Sequence, residues 1–356
     1  MESRLTKKEK VVLYMLMRYP SLSDSEIGRI SGLNQSTVST INKRLRIRGA
    51  YRQLRVPMLQ RLGCELLSGA FFDFNLLADI DLKRKCINEI IRNSKGLFFW
   101  ILGKNQGLLL WINSNYSESV SEIENVENLF VSNRIVEKPF KRVFLPFSIT
   151  RINRFFDFSE VVRQNFGIEK EISQTNEANI TTYENEQVSL SPMEKKVFYG
   201  LVKYPDMIDK ELGHKLGVSR HTISKMRHNF YERKLLYDLK LPSFREIGIE
   251  IIAFVYSKFK IGDTIQNRAP TTEHFLSNYP VITSIATNRE AITLLALNSF
   301  SQYQEAKHYA LGDYMKAGHI REEPDILLFS TKESLNGETF HLDFTRATSN
   351  FLNISL

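Results

Sequence analysis

Two stretches of the 356-residue sequence carry polar and cationic side chains at a spacing suited to recognition: NQSTVSTINKRLRIRG from Asn34 and SRHTISKMRHNFYERK from Ser219. In the first, Val38, Ile41 and Leu45 share one side of a helix. The rotation of roughly 100° per residue then turns Ser36, Ser39, Thr40 and Lys43 outward, with Gln35 and Arg44 at the flanks. In the second, Ile223, Met226 and Phe230 turn inward, leaving His221, Ser224, Lys225 and His228 outward and Arg220 at the flank. Glutamine pairs in bidentate fashion with adenine, arginine or lysine with guanine, and serine or threonine with either. Each stretch is followed by a short segment, YRQLRV or LYDLKL, whose Arg52, Arg55 and Lys240 suit phosphate contacts. The chemistry on offer is reading of base edges in double-stranded DNA.

Catalytic chemistry finds less support. No CxxC, HExxH, GxSxG or phosphate-loop pattern occurs. All seven histidines lie in the second half of the chain, so no imidazole role can be common to both halves. His221 and His228 share a helix face but stand seven residues apart, about 10 Å along the axis, too far to share a metal ion. These patterns predict a protein that is not an enzyme and needs no cofactor. Phe98, Phe99, Trp100 and Trp111 could line a ligand cleft, but aromatics at that density in strands are the material of a sheet core.

The elements that must position the recognition residues come in duplicate. Sliding the chain by about 185 positions superimposes LTKKEKVVLYMLMRYPSLSDSEIGRISGLNQSTVSTINKRL on LSPMEKKVFYGLVKYPDMIDKELGHKLGVSRHTISKMRHNF, so each copy is one folding unit. Thr6 with Glu9 forms a capping box ahead of a first helix, Ser23 or Asp24 caps a second, and Asn34 (Ser219 in the second copy) caps the third. Gly32 sits where a sharp turn needs positive φ. Beyond each wing the pattern becomes strand-helix-strand-strand-helix-strand, the split βαβ arrangement, with Pro270 predicted to shorten the first helix of the second copy. The tails repeat too, in FFDFSEVVRQNFGI and FHLDFTRATSNFLNI. The predicted fold class is α+β: two winged helix-turn-helix units (1–62 and 190–247), each followed by a ferredoxin-like βαββαβ domain (63–168 and 248–356), joined by an acidic, polar linker at 169–189 and arranged as an internal pseudo-dimer.

Charge follows the duplication. Residues 1–62 hold thirteen Lys and Arg against four Asp and Glu, and residues 190–246 twelve against seven, so the remainder of this +8 chain is acidic. Positive charge gathered on the two repeated helical units is the footprint of a polyanion binder. The most apolar region, GLFFWILGKNQGLLLWIN, is interrupted by GKNQG and predicts no membrane span. With two cysteines and no signal-peptide pattern, a cytoplasmic location is expected.

GLNQSTVSTI and GVSRHTISKM, with the proline-and-glycine entries VPMLQRLG and LPSFREIG into an α/β domain, resemble the leucine-responsive regulator/AsnC family of transcription regulators. The resemblance implies DNA binding through the helix-turn-helix, with α/β domains that dimerise and sense a small-molecule effector. The family's Gly-x-x-Asp at the hairpin turn is missing: the aligned residues read Gly103-Lys104-Asn105-Gln106 and Asn288-Arg289-Glu290-Ala291, which argues against amino-acid sensing. Two unlike recognition helices imply an asymmetric or pseudo-palindromic site, read by a homodimer or an internal pseudo-dimer. Two other functions fit the same resemblance. One is an architectural DNA-binding protein of low sequence preference. The other is a tetrapyrrole enzyme like the siroheme decarboxylases, which resemble this family; it would want histidines in the α/β parts, where His274, His308, His319 and His341 show no sequence partners.

Overall fold

The computed structural model describes residues 5–169, 187–333 and 340–354; over 170–186 the expected linker lies outside them. The first repeat runs α1 (Lys7–Arg18), α2 (Asp24–Ser31), α3 (Gln35–Ile47), β1 (Tyr51–Pro57), β2 (Leu66–Asp73), α4 (Ile80–Asn93), β3 (Leu97–Leu102), β4 (Gln106–Asn113), α5 (Tyr116–Ser132), β5 (Lys141–Pro146), β6 (Arg151–Arg154) and α6 (Ser159–Phe166). The second runs α7 (Pro192–Lys203), α8 (Asp209–Leu216), α9 (Arg220–Glu232), β7 (Leu236–Pro242), α10 (Phe244–Ile247), β8 (Ile251–Lys258), α11 (Ile265–Asn278), β9 (Val281–Ala286), β10 (Glu290–Leu297), α12 (Phe300–Lys316), β11 (Asp325–Ser330), β12 (Phe340–Leu342) and α13 (Thr345–Leu352). The class is α+β, with antiparallel sheets.

Local chemistry accounts for the helix ends. Thr6 with Glu9, Ser23 with Glu26 and Ser191 with Glu194 close reciprocal capping boxes, each worth about 1 kcal/mol. Ser219 caps α9 through the Thr222 amide, whereas Asn34 stands at the same place before α3 without a side-chain bond. Gly28 and Gly213 allow the close turn between the second and third helices, because a β-carbon there would lie 2.7 Å from the Leu33 carbonyl oxygen or 2.6 Å from that of Val218.

The chain folds into two compact units, and each combines parts of both repeats. One takes the described residues of Met1–Gln53, Ile149–Thr182 and Leu239–Thr331; the other takes those of Leu54–Ser148, Tyr183–Asp238 and Lys332–Leu356. The first three-helix segment therefore shares a unit with the second repeat's sheet, and the second segment with the first repeat's sheet. The sheet orders are β11-β8-β10-β9-β6 and β12-β3-β4-β2-β5, so the fifth strand of each sheet is contributed by the other repeat. In the first unit α1 packs on α6, with Arg18 4.0 Å from Asp157 and Lys10 5.2 Å above the Phe166 ring. In the second, α13 packs on α7 and β3, and Phe344 stacks on Phe98 at 5.2 Å.

Two details correct the sequence reading. Pro270 does not shorten its helix: α11 runs unbroken from Ile265 to Asn278, the same length as α4. The lost amide bond is one of many in a helix anchored by buried Arg268 near its start. The hairpin turn of the second copy spans Thr287–Glu290, where the Thr287 amide bonds the Glu290 carbonyl at 2.8 Å as Gly103 bonds Gln106 at 3.0 Å. The repeats therefore slip by one residue before this turn. Neither turn holds an aspartate.

Candidate functional site

The two α/β domains share a framework and differ in what fills it. In the first, the face of the sheet beneath α4 and α5 is packed by Phe72, Trp100, Trp111, Phe130 and Phe140 with aliphatic neighbours, all under 9% exposed. Phe72 stacks on Phe140 at 4.2 Å between ring centroids and meets Phe130 edge-on at 5.4 Å. Aromatic packing of this kind contributes about 0.5–1.5 kcal/mol per pair beyond burial itself.

The same positions in the second domain are stripped. The fourth residue of β3 is Trp100 and that of β9 is Ser284. The seventh residue of β2 is Phe72 and that of β8 is Ser257. Leu102 gives way to Ala286, Leu109 to Thr293, Val126 to Ala310 and Ile123 to Lys307. Cross-strand partners change in concert. Phe72 faces Gly107, where a β-carbon would come within 2.5 Å of the Phe72 ring, whereas Ser257 faces Ala291 and leaves room for its methyl group.

The result is a cavity of about 150 Å³ that opens to solvent. Its floor is the sheet, carrying Ala253, Ser257, Ser284, Ala286, Ala291 and Thr293, and its roof is α11 and α12, with Phe275, Tyr303 and Tyr314. Arg151 and Asn153 of β6 stand at one edge, and Glu273 and Lys307 are charged lining residues from the two roof helices. Val255 and Leu295 stand among these smaller floor side chains, and polar groups are interspersed with apolar ones, the arrangement of a ligand site.

Hydrogen bonds preorganise several of these groups. The Thr272 and Tyr314 hydroxyls lie 2.9 Å apart, and burial pushes the Tyr314 phenol up, keeping it protonated. The Asn153 amide donates to the Ser284 hydroxyl at 3.4 Å. Arg268, 2% exposed, lies 3.5 Å above the Phe259 ring. It pairs with Asp263 at 3.1 Å and donates to the carbonyls of Thr287 and Asn288. Burial lowers its pKa while the Asp263 carboxylate opposes that shift, and the guanidinium ties the start of α11 to the hairpin turn. Lys83 does the same in the first domain, 5.2 Å above Phe74 and 3.5 Å from the Lys104 carbonyl.

The α/β histidines have partners that the sequence did not reveal. His319 lies 3.1 Å from Asp263 and 3.3 Å from the Thr271 hydroxyl, His274 is 3.3 Å from Asp313, and His341 stacks on Trp100 at 4.0 Å. None of the residues lining the cavity is a histidine, cysteine or methionine. Among the described residues no cluster of His, Cys, Asp and Glu could hold a metal ion.

On the third helices, Gln35, Ser36, Ser39, Thr40, Lys43 and Arg44 are exposed, as are Arg220, His221, Lys225 and His228, while Ser224 is half-buried. Arg44 is held against Glu9 at 2.9 Å and His228 against Glu232 at 3.1 Å. The strands that follow correct part of the expectation. Arg55 is 6% exposed, donates to the Leu201 carbonyl at 2.9 Å and lies 3.7 Å from Asp238. Lys240, also 6% exposed, sits 5.7 Å above the Tyr51 ring. Pairing of β1 with β7 turns these cations inward, out of reach of phosphate. Arg52 is half-buried.

Comparison with known proteins gives fold but no family: no family model and no curated protein matches the sequence. Among solved structures, the siroheme decarboxylase NirDL matches over 98% of this chain and 98% of its own, at 10% identity and a TM-score of 0.52. Its co-complex with an iron-uroporphyrin III analogue matches over 96% and 95%, at 11% identity and a TM-score of 0.51. The AsnC family transcriptional regulator from Agrobacterium tumefaciens covers 39% of this chain and 89% of its own, at 10% identity and a TM-score of 0.33. The expectation that this chain is not an enzyme is overturned here, because the structure it resembles from end to end is an enzyme. Among the described residues no helix is long and apolar enough to cross a membrane. The chain has the fold of NirDL throughout, with AsnC-type regulators resembling about 40% of it.

Proposed function

We propose that this chain is an enzyme that binds a carboxylate-bearing iron tetrapyrrole and removes carboxyl groups from it in the cavity of the second α/β domain. The observation that carries this reading is the paired substitution of Trp100 by Ser284 and Phe72 by Ser257, which hollows one of two otherwise equivalent domains. The small side chains of Ala253, Ser257, Ser284, Ala286 and Ala291 leave space over the sheet for an edge of a planar macrocycle, and Tyr303 and Phe275 offer rings above it. The full-length likeness to a siroheme decarboxylase supplies the reaction class.

In such a reaction the bond to the carboxyl carbon breaks, carbon dioxide leaves and the remaining carbon takes one proton, with no net oxidation. The iron belongs to the substrate. No imidazole lines the cavity to bind it, so the contacts fall on the macrocycle and its acid groups. The proton donor we assign is Tyr314, which lines the cavity with its hydroxyl 2.9 Å from that of Thr272.

The test is incubation of the purified chain with siroheme, following loss of carboxyl groups by mass spectrometry, beside an absorbance titration with iron-uroporphyrin III. Turnover that disappears in a Ser257→Phe/Ala291→Gly chain supports the proposal. An unaltered chain that neither binds nor converts the macrocycle sinks it.

A second reading, a DNA-binding regulator, is favoured by the exposed polar faces of α3 and α9, which Lys43, Arg220 and Lys225 make cationic. Under it the three-helix segments with β1 and β7 are winged helix-turn-helix units, the hollow domain holds the effector, and the DNA site is asymmetric. A gel shift that weakens with salt and survives competitor DNA supports specific reading; one that competitor abolishes points to architectural binding.

A further inference from the structure

We infer that Arg151, with Asn153 beside it, forms the carboxylate-binding end of the cavity, an end that the second repeat cannot supply by itself. The inference deepens the proposed function and rests on it.

Strand β6 belongs to the first repeat and pairs with β9 of the second, Arg151 opposite Ala286 and Ile152 opposite Ile285. Alternation puts Arg151 and Asn153 on the cavity face, where both line it, and sends Ile152 to the other face, where it is 4% exposed. The neighbour opposite Arg151 is an alanine, so the space over it stays empty.

The other cations of the cavity are engaged. Arg268 is taken by Asp263 and two carbonyls, and Lys307 lies 3.4 Å from Glu323. Arg154, next on the strand, donates to the Val281 carbonyl at 2.7 Å. Arg151 is half-buried, and its guanidinium makes no hydrogen bond or ion pair among the described residues. A guanidinium that has lost part of its water and gained no partner is suited to a planar anion, and a carboxylate fits its two parallel donors. The other unit shows the closed alternative: on β12, His341 stacks on Trp100, and ring meets ring where Asn153 meets Ser284.

The inferred ligand thus lies over the sheet between β6 and the roof helices, with a carboxylate directed at β6. Iron-uroporphyrin III and its fully esterified form, titrated against the intact chain, Arg151→Ala and Arg151→Lys, provide the test. Arg151→Ala should weaken binding of the acid by about ten- to a hundredfold, the loss of one charge-assisted contact. Arg151→Lys should recover most of it, and the ester should not distinguish the three chains. Thermal denaturation should be unchanged, since Arg151 holds no partner. Equal binding of the acid by Arg151→Ala and the unaltered chain overturns this inference and leaves the proposed function standing. No binding by the unaltered chain overturns both.

Discussion

Ser284 holds on β9 the place that Trp100 holds on β3, and the exchange of one indole for one hydroxyl separates a solid domain from a hollow one. Ser284 is hydrogen-bonded to Asn153, whereas Trp100 is stacked on His341. In both cases the partner comes from the strand contributed by the opposite repeat. Duplication thus supplied two copies of a core, and one could be emptied while the other kept its packing.

Refilling the hollow domain with its sister's residues should close it. Ser257→Phe alone would drive a ring against the Ala291 methyl, as a β-carbon at Gly107 would meet Phe72 within 2.5 Å. It should therefore be destabilising by about 1–3 kcal/mol, and Ala291→Gly should relieve it. The double variant should fold, melt at or above the parent temperature and lose ligand binding. Calorimetry beside the absorbance titration checks both halves of the expectation.

The reverse change tests the solid domain. Trp100→Ala should cost about 3–5 kcal/mol, because it opens a cavity beneath α4 and α5 where neighbours are already at core density. Ligand binding in the other unit should be retained at temperatures where the variant stays folded. Urea denaturation monitored by Trp111 fluorescence reports the loss.

Much of this organisation was readable beforehand, and the reasons it stopped are specific. Capping boxes such as Thr6 with Glu9, and the positive φ of 69° at Gly32, are set by residues a few positions apart, so the helical segments could be placed from the sequence. The exchange of β6 and β12 between sheets is a pairing over more than a hundred residues, and nothing in RINR or FHL encodes a partner. The cavity has no motif of its own. It exists as a difference between copies, legible only when the one-residue slip before Thr287–Glu290 is included and Trp100 is set against Ser284. Arg55 and Lys240 misled because basic residues in a short strand look like a solvated wing until β1 and β7 pair and bury them.

Asp263 holds Arg268 and His319 at once, each at 3.1 Å. Arg268→Met should remove the cation from the hairpin carbonyls and leave the carboxylate with the imidazole alone, costing about 3–5 kcal/mol. Pairing it with Asp263→Asn should restore part of that loss, since the orphaned charge is gone. Melting temperatures of the two single variants and the double variant form the cycle that measures the coupling.

Glu122 predicts a pH dependence of stability. Burial pushes its carboxyl up to about 7, against the amides of Gly96 and Lys95, which favour the ionised form, and with the Glu118 charge adding to the rise. A raised folded-state pKa means the folded chain binds the proton more tightly than the unfolded one. The stabilisation is fully present below about pH 4.3 and is lost as pH rises through about 7, amounting to on the order of 2 kcal/mol for a partly buried group. Glu122→Gln should flatten this slope and exceed the parent in stability at pH 8. Urea midpoints from pH 5 to pH 8 check it; a parent curve that rises across that range contradicts the assignment.

The regulator reading makes its own demand, and the burial pattern sharpens it. Lys43 and Lys225 are exposed on α3 and α9, while Arg55 is buried against the Leu201 carbonyl. If these faces meet DNA, Lys43→Ala and Lys225→Ala should each weaken binding and reduce the slope of log K against log salt by about one, the release of one counterion per lost phosphate contact. Arg55→Ala should leave that slope unchanged and lower the melting temperature instead, because it strips a buried donor from a carbonyl and a neighbour from Asp238. Salt titrations of a gel shift, set beside thermal melts of the same three variants, separate the contacts that touch a polyanion from those that hold the fold. A common salt slope in all three chains would remove α3 and α9 from the DNA surface and leave the cavity as the functional centre of the molecule.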